Sequence, residues 1–411
     1  MVNFQKFILP NGLVVIVNED HSTPLAAMSL LYKVGSRNEN ENRTGFAHLF
    51  EHLMFGGSLH IESFDEPLQN VGGDNNAFTS NDITNYYLTL PAENLETGFW
   101  LESDRLLGLK FSQKSLDVQK NVVCEEFRQR YLNQPYGDAW LLLRPEAYKV
   151  HPYKWPTIGK DISHIQDATL GDVKKFFYGF YAPNNAILSV SGDVTVDHIH
   201  DLCNKYFAPI ESRVLINSKI LQEPEQTSER IIEVRKNVPY DAIYMVYHMP
   251  ARINSGFYGF DIISDLLSNG RSSRLYQNLV KKKQLFSDIN AYITSDFDPG
   301  LFVFSGKLMK NVSMKQAEEA ILEEVEKIKN NEFTDEELQK VKNKYEANIQ
   351  FANVNIMNKA MNLCYYEMLG DAALLNSEID KYMATGRKEI ISLAKSTFVP
   401  QNCTKLYYYA E

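Results

Sequence analysis

Residues 45–57, GFAHLFEHLMFGG, set His48, Glu51 and His52 at positions i, i+3 and i+4 of an otherwise apolar run. At about 100° per residue, side chains three and four apart share one side of a helix, so two imidazoles and a carboxylate converge. Neutral imidazole is a good zinc donor, and this spacing suits a single ion. The order His-x-x-Glu-His reverses the commoner His-Glu-x-x-His, and either order can put a carboxylate beside a metal-held water. Ala47, Leu49, Phe50, Leu53, Met54 and Phe55 make the helix apolar nearly all round, which predicts burial. A buried helix with two His and a Glu on one side leaves polar groups unpaired unless something charged meets them. The stretch therefore reads as a metal site rather than a solvated polar face.

Outward from it, residues 4–19 alternate and break at Pro10-Asn11-Gly12, a hairpin, and 25–34 form a further strand. Downstream, 63–71 read as a short helix closed by Gly72-Gly73, and 75–91, rich in Thr, Tyr and Phe, as two strands. Residues 93–107 and 114–133 have helical periodicity. The second of these matters for the metal, because a catalytic zinc usually takes three protein ligands plus water. Glu125 and Glu126 are adjacent candidates for the third; they point about 100° apart, so at most one faces the ion.

Thr169, with Asp172 three residues on, starts a capped helix; 184–192 form a strand and 196–207 a helix. His198 and His200 lie two apart on that helix, on different faces, and read as surface residues. Residues 209–229 are polar with Pro and Ser and read as a linker. The second half then repeats the order of the first, with strands in 231–248, a helix at 257–267, strands in 289–309, and helices at 315–330 and 334–353. FSQKSL at 111–116 answers FTDEEL at 333–338, an offset of 222 residues, under which Glu126 faces Asn348. The helix matching the metal-binding one, around 261–267, has no His. The fold class is thus α+β, two homologous domains in tandem, each a mainly antiparallel sheet packed with helices: 1–208 with the metal motif, the linker 209–229, and 230–411 without it.

A chain of 411 residues, 44% hydrophobic and 23% charged, is in the range of globular proteins with two or three domains. A formal charge of -10 argues against nucleic acid and gives no support for an anionic membrane. Four scattered cysteines without a C-x-x-C pair fit reduced thiols. The start, MVNFQKFILPNG, shows no basic leader with an apolar core, and no apolar run reaches a membrane span; the expectation is a cytoplasmic protein, or a periplasmic one if a leader was removed.

In the order GFAHLFEHLMFGGS, NNAFTSNDITNYYLTLP, QKNVVCEE, HPYKWPTIGKDISHI and FYAPNNAILSVSGDV, the chain resembles the pitrilysin/insulinase family of inverted-motif zinc peptidases, which includes the mitochondrial processing peptidases. The resemblance implies that His48, His52 and Glu126 bind one Zn2+ and that Glu51 is the catalytic base. It implies that Asn76 and Ala77 pair a strand edge with an extended substrate, a mode in which backbone bonds give affinity. It further implies a dimer or a fused double-length chain closing around a chamber that admits unfolded peptides. Where the family often has Glu seven residues before the third ligand this chain has Gln119, which can still hydrogen-bond a ligand but carries no charge. Where active members often carry Arg and, seven residues on, Tyr, it has Val280 and Ser287. Since one oxyanion donor can contribute about 2.7–4 kcal/mol, the expectation is a zinc metalloendopeptidase whose zinc-less homologous partner supplies the pair in a heterodimer. The rival readings are a catalytically silent structural subunit of the same fold and a zinc hydrolase acting on a non-peptide substrate.

Overall fold

A computed structural model describes residues 1–411. In chain order the first half runs β1 (Gln5–Ile8), β2 (Val14–Glu19), β3 (Leu25–Tyr32), α1 (Phe46–Leu53), α2 (Asp65–Asn70), β4 (Asp74–Thr79), β5 (Thr84–Pro91), α3 (Leu95–Leu107) and α4 (Gln113–Phe127). It continues through α5 (Ala139–Ala147), α6 (Ser163–Gln166), α7 (Leu170–Phe180), β6 (Ala186–Gly192) and α8 (Val196–Tyr206). The second half has β7 (Arg230–Lys236), β8 (Ala242–His248), α9 (Gly256–Ser268), β9 (Phe286–Ile293), β10 (Leu301–Leu308), α10 (Met314–Lys329) and α11 (Asp335–Ala352). It ends with α12 (Ile356–Met368), α13 (Leu374–Ala384), α14 (Arg387–Thr397) and β11 (Cys403–Ala410). The expected helix at 114–133 is one α-helix to Phe127 followed by a π-turn over Arg128–Leu132.

The duplication is visible in the strand order. One sheet runs β1-β2-β6-β3-β5-β4 and the other β7-β11-β8-β10-β9, so the second repeats the first without its β1 hairpin strand. Each sheet is antiparallel except for one pair, β2 with β6 and β7 with β11. The entry to the late strand is repeated too. Pro183–Asn185 and Pro400–Asn402 are 3-10 turns in which Asn185 Nδ2 donates to Phe180 O at 2.8 Å and Asn402 Nδ2 to Thr397 O at 3.0 Å.

Two compact units result, and they are not the contiguous halves 1–208 and 230–411. The first comprises Met1–Arg128, Trp155–Leu221 and Gln350–Ser377; the second comprises Gln129–Lys154, Gln222–Ile349 and Glu378–Glu411. In the first unit α12 lies on β3 and β6, with Ile356 and Ala360 buried against Ala27 and Cys364 Sγ 3.4 Å from Ser29 O. Within the second, α5 lies on β11, β7 and β8, burying Ala139, Leu143 and Ala147 among Val246, Leu406 and Tyr408. Each sheet thus takes one covering helix from the other half of the sequence. The physical reason is that an apolar helix face must be buried somewhere, while its periodicity does not say against which sheet.

The linker expected at 209–229 has no regular structure up to β7, yet its first part is fastened to the first unit. Ile216 N donates to Gly179 O at 3.0 Å and Arg213 Nη2 to Leu106 O at 3.1 Å. All four cysteines are free and buried, and burial pushes the thiols of Cys203, Cys364 and Cys403 up to about 12. No helix is long and apolar enough to cross a membrane.

Candidate metal centre

Helix α1 is held on its back face by aromatic stacking. Phe50 lies flat on Phe176, Phe177 and Tyr181 with centroids 5.1, 6.3 and 5.2 Å away. Tyr86 donates its hydroxyl to Phe50 O at 3.2 Å, and burial pushes that phenol well above its ordinary value, so it stays a donor. The sequence offers no ordinary cap at the helix start, because position 45 is Gly with φ +88°. A Cβ there would come 2.6 Å from Ile158 O. The orphan N–H groups of the first turn are met instead by Glu39, whose Oε2 accepts from Gly45 N at 2.9 Å and whose Oε1 accepts from Ala47 N at 2.8 Å. Burial pushes the Glu39 carboxyl up to about 8, against the pull of those two donors. Sequence reading missed Glu39; the signal was a helix opening on Gly with a carboxylate six residues upstream. The stretch around the KWPTIGK motif grips the same entry, with Trp155 Nε1 donating to Ser36 O at 3.0 Å and Lys160 N to Thr44 Oγ1 at 2.9 Å.

On the front face His48 and His52 sit edge to face with ring centroids 4.9 Å apart. Helix α4 packs across α1 and brings Glu126 to them: its Oε2 is 3.5 Å from His48 Nε2 and 3.8 Å from His52 Nε2. One donor atom from each of the three lies within 4.8 Å of the others. Glu125, the other candidate, is 59% exposed and pairs with Arg128. Glu126 Oε2 is buried and has no hydrogen-bond partner. Tetrahedral donors about 2.1 Å from one zinc ion stand about 3.4 Å apart, so the spacing and the two-imidazole, one-carboxylate donor set both fit zinc. Side-chain exposures of 12% for His48, 21% for His52 and 27% for Glu126 leave the trio reachable from solvent.

Glu51 projects from the same helix, and its Oε2 accepts from Thr79 Oγ1 at 2.7 Å. Gln119 lies half-buried on α4, two turns before Glu126. Asn76 and Ala77 are on β4, the edge strand beside α1, opposite Tyr87 and Tyr86. Asn76 Oδ1 accepts from Ala77 N at 2.8 Å, so that outward N–H is covered by the neighbouring side chain. His198 and His200 are both exposed on α8, away from any metal-ligand grouping. In the second unit Val280 packs half-buried against the core, and Ser287 donates Oγ to Lys307 O at 3.3 Å. Neither carries the charge or phenol of the Arg/Tyr pair.

Two tandem α+β units, the first with a two-histidine, one-glutamate cluster beside a free strand edge, define a metallohydrolase-like class. Family models place it further: Insulinase (Peptidase family M16) matches residues 14–159, and Peptidase M16 inactive domain matches 167–345, the stretch without the histidine motif. The chain belongs to this insulinase family, peptidase family M16. It is similar to the zinc protease PqqE of Helicobacter pylori, 34% identical over 344 residues that cover 82% of this chain and 77% of that one. An uncharacterized zinc protease of Bacillus subtilis, YmxG, is 24% identical over 402 residues, 96% of this chain and 95% of the other. Among solved structures, the crystal structure of a protease from Helicobacter pylori superposes with a TM-score of 0.94 at 29% identity, covering 99% of this chain and 100% of that one.

Proposed function

We propose that this chain is a zinc metalloendopeptidase acting on unfolded peptides, with His48, His52 and Glu126 holding one Zn2+ and Glu51 as the general base. The observation that carries the reading is the buried Glu126 Oε2, without a hydrogen-bond partner and 3.5 Å from His48 Nε2, where a cation would complete it. When bound, zinc supplies the Lewis acidity that polarises a carbonyl and makes water acidic near neutral pH. Glu51 takes the proton of the attacking water on its carboxylate and returns it to the leaving amine. Asn76 and Ala77 offer the strand edge on which an extended peptide is laid, and Asn76 must release the Ala77 N–H for that strand to add fully. In this reading Gln119, two turns before Glu126, is the side chain that hydrogen-bonds and orients that ligand without adding charge.

Because Val280 and Ser287 provide no oxyanion donor of the Arg/Tyr kind, the peptidase works as a heterodimer with a zinc-less homologous chain that supplies one. The same two residues favour the second reading, a structural subunit of this fold without catalysis. The test is hydrolysis of a quenched-fluorescent peptide mixture by the zinc-loaded chain alone, with Glu51→Gln as the blank. Turnover above the blank establishes a self-sufficient peptidase and removes the partner requirement. Silence at one zinc per chain, persisting after a zinc-less homologue is added, leaves the structural subunit.

A further inference from the structure

Glu51 has one partner that the metal does not explain. Thr79 is the last residue of β4, and its hydroxyl lies 2.7 Å from Glu51 Oε2. The Thr79 hydroxyl is the donor of this bond and the Glu51 carboxylate oxygen its acceptor. Thr79 is also part of the strand that carries Asn76 and Ala77, three and two residues earlier, and it pairs with Thr84 at the turn of the β4–β5 hairpin. The second unit lacks the device: its corresponding edge strand, β9, ends in Ile293, which packs against the apolar core.

We propose that Thr79 is the positioning residue of the general base, holding Glu51 in its working rotamer through one hydroxyl and tying that rotamer to the strand on which the peptide is laid. This rests on the peptidase reading for its kinetic consequence, though not for the hydrogen bond itself. A Glu side chain has three rotatable bonds, and without the donor the carboxylate samples settings from which it does not reach the water. The effect falls on kcat more than on KM, because peptide affinity comes from the backbone of β4 rather than from Glu51.

The test uses Thr79→Val, which keeps the shape and removes the donor, Thr79→Ala as a second donorless variant, and Thr79→Ser, which keeps the hydroxyl. Losing a general base typically costs about 10²–10⁴-fold, and losing its positioning bond is expected to lower kcat about 10-fold with KM within about twofold and zinc content unchanged. Thr79→Ser is expected to retain most of the parent kcat. A readout independent of turnover is the metal-free crystal structure, in which Glu51 should hold one conformation in the parent and Thr79→Ser and several in Thr79→Val and Thr79→Ala. A single, unmoved Glu51 in the donorless variants overturns the proposal, and so does a Ser variant that behaves like Val. A parent without turnover even after a zinc-less homologue is added sinks the peptidase reading instead and leaves the crystallographic arm to decide this one.

Discussion

The two units are the same sheet with different chemistry on the helix beside it. In the first, α1 presents His48, Glu51 and His52; in the second, α9 occupies the same place in the order and presents Asp261, Ser264 and Asp265 at the same i, i+3, i+4 spacing. The difference lies in who satisfies them. Tyr382 donates its hydroxyl to Asp261 Oδ2 at 2.6 Å, Asn269 donates to Asp265 Oδ1 at 2.6 Å, and Ser264 donates to Asp261 O at 2.8 Å. Around α9 the polar groups are closed by the chain itself, whereas beside α1 a buried carboxylate oxygen of Glu126 is left without a hydrogen bond. A buried carboxylate oxygen without a hydrogen bond beside two imidazoles points to a ligand site, whereas polar side chains that merely share a helix face do not.

The largest test of that contrast is catalytic. Glu51→Gln should lower peptide turnover about 10²–10⁴-fold while zinc stays bound, and Ser264→Ala, its positional counterpart, should leave turnover within twofold, which the peptide assay and metal analysis read together. Loss of zinc in Glu51→Gln would give Glu51 the wrong role. Next come two buried ion pairs that should behave alike. Arg105 with Glu102 in the first unit and Arg252 with Glu378 in the second are nearly solvent-free. Arg105 lies between the rings of Phe64 and Tyr86. Removing one partner leaves a buried charge, so Glu102→Ala and Glu378→Ala should each cost about 3–5 kcal/mol in urea unfolding. A cost below 1 kcal/mol in only one of them would show that the units are not energetically equivalent.

Smaller effects separate the two helix starts. Glu39→Ala removes the acceptor for two first-turn N–H groups of α1 and should cost about 1 kcal/mol. With its pKa raised from 4.5 to about 8, Glu39 binds a proton in the folded chain where the unfolded chain has released it. Its contribution therefore favours folding below pH 4.5 and declines as pH rises towards 8. Glu39→Gln should flatten that part of the stability curve; Asp261 and Asp265, also raised by burial, should keep the rest of the slope. A change of similar size concerns α12. Lys359 pairs with Asp20, whose carboxyl it holds down at about 2. Because the folded value lies below the ordinary 3.8, this stabilisation is present above pH 3.8 and is lost as pH falls towards 2. Lys359→Met should cost about 1 kcal/mol at pH 7 and little at pH 2 in thermal melts.

Much of this was legible in the residues. The i, i+3, i+4 spacing brought His48 and His52 together, and helix geometry allowed at most one of the adjacent candidates Glu125 and Glu126 to face them; in the structure it is Glu126. The 222-residue offset showed the duplication because repeated units keep their turn and cap residues. Thr79 and Glu39 escaped notice, since a single hydroxyl or carboxylate in a loop or strand end has no periodicity and its partner lies 28 or 6 to 8 residues away. The exchange of α5 and α12 was hidden for a different reason. Amphipathic patterning predicts that a face is covered but carries no address for the surface that covers it.

That exchange governs the timing of synthesis. When Leu221 has been made, the sheet of the first unit still lacks the helix that covers β3 and β6, and α12 ends only at Met368. At about 5–20 residues per second, roughly 7–30 s pass before it arrives. The second sheet waits longer still, because β11, inserted between β7 and β8, comes after every other strand of that sheet and is also what α5 packs against. Neither unit can be finished on the ribosome in the order in which it is written, so residues far beyond Leu221 are needed before the unit that carries His48 and His52 is complete.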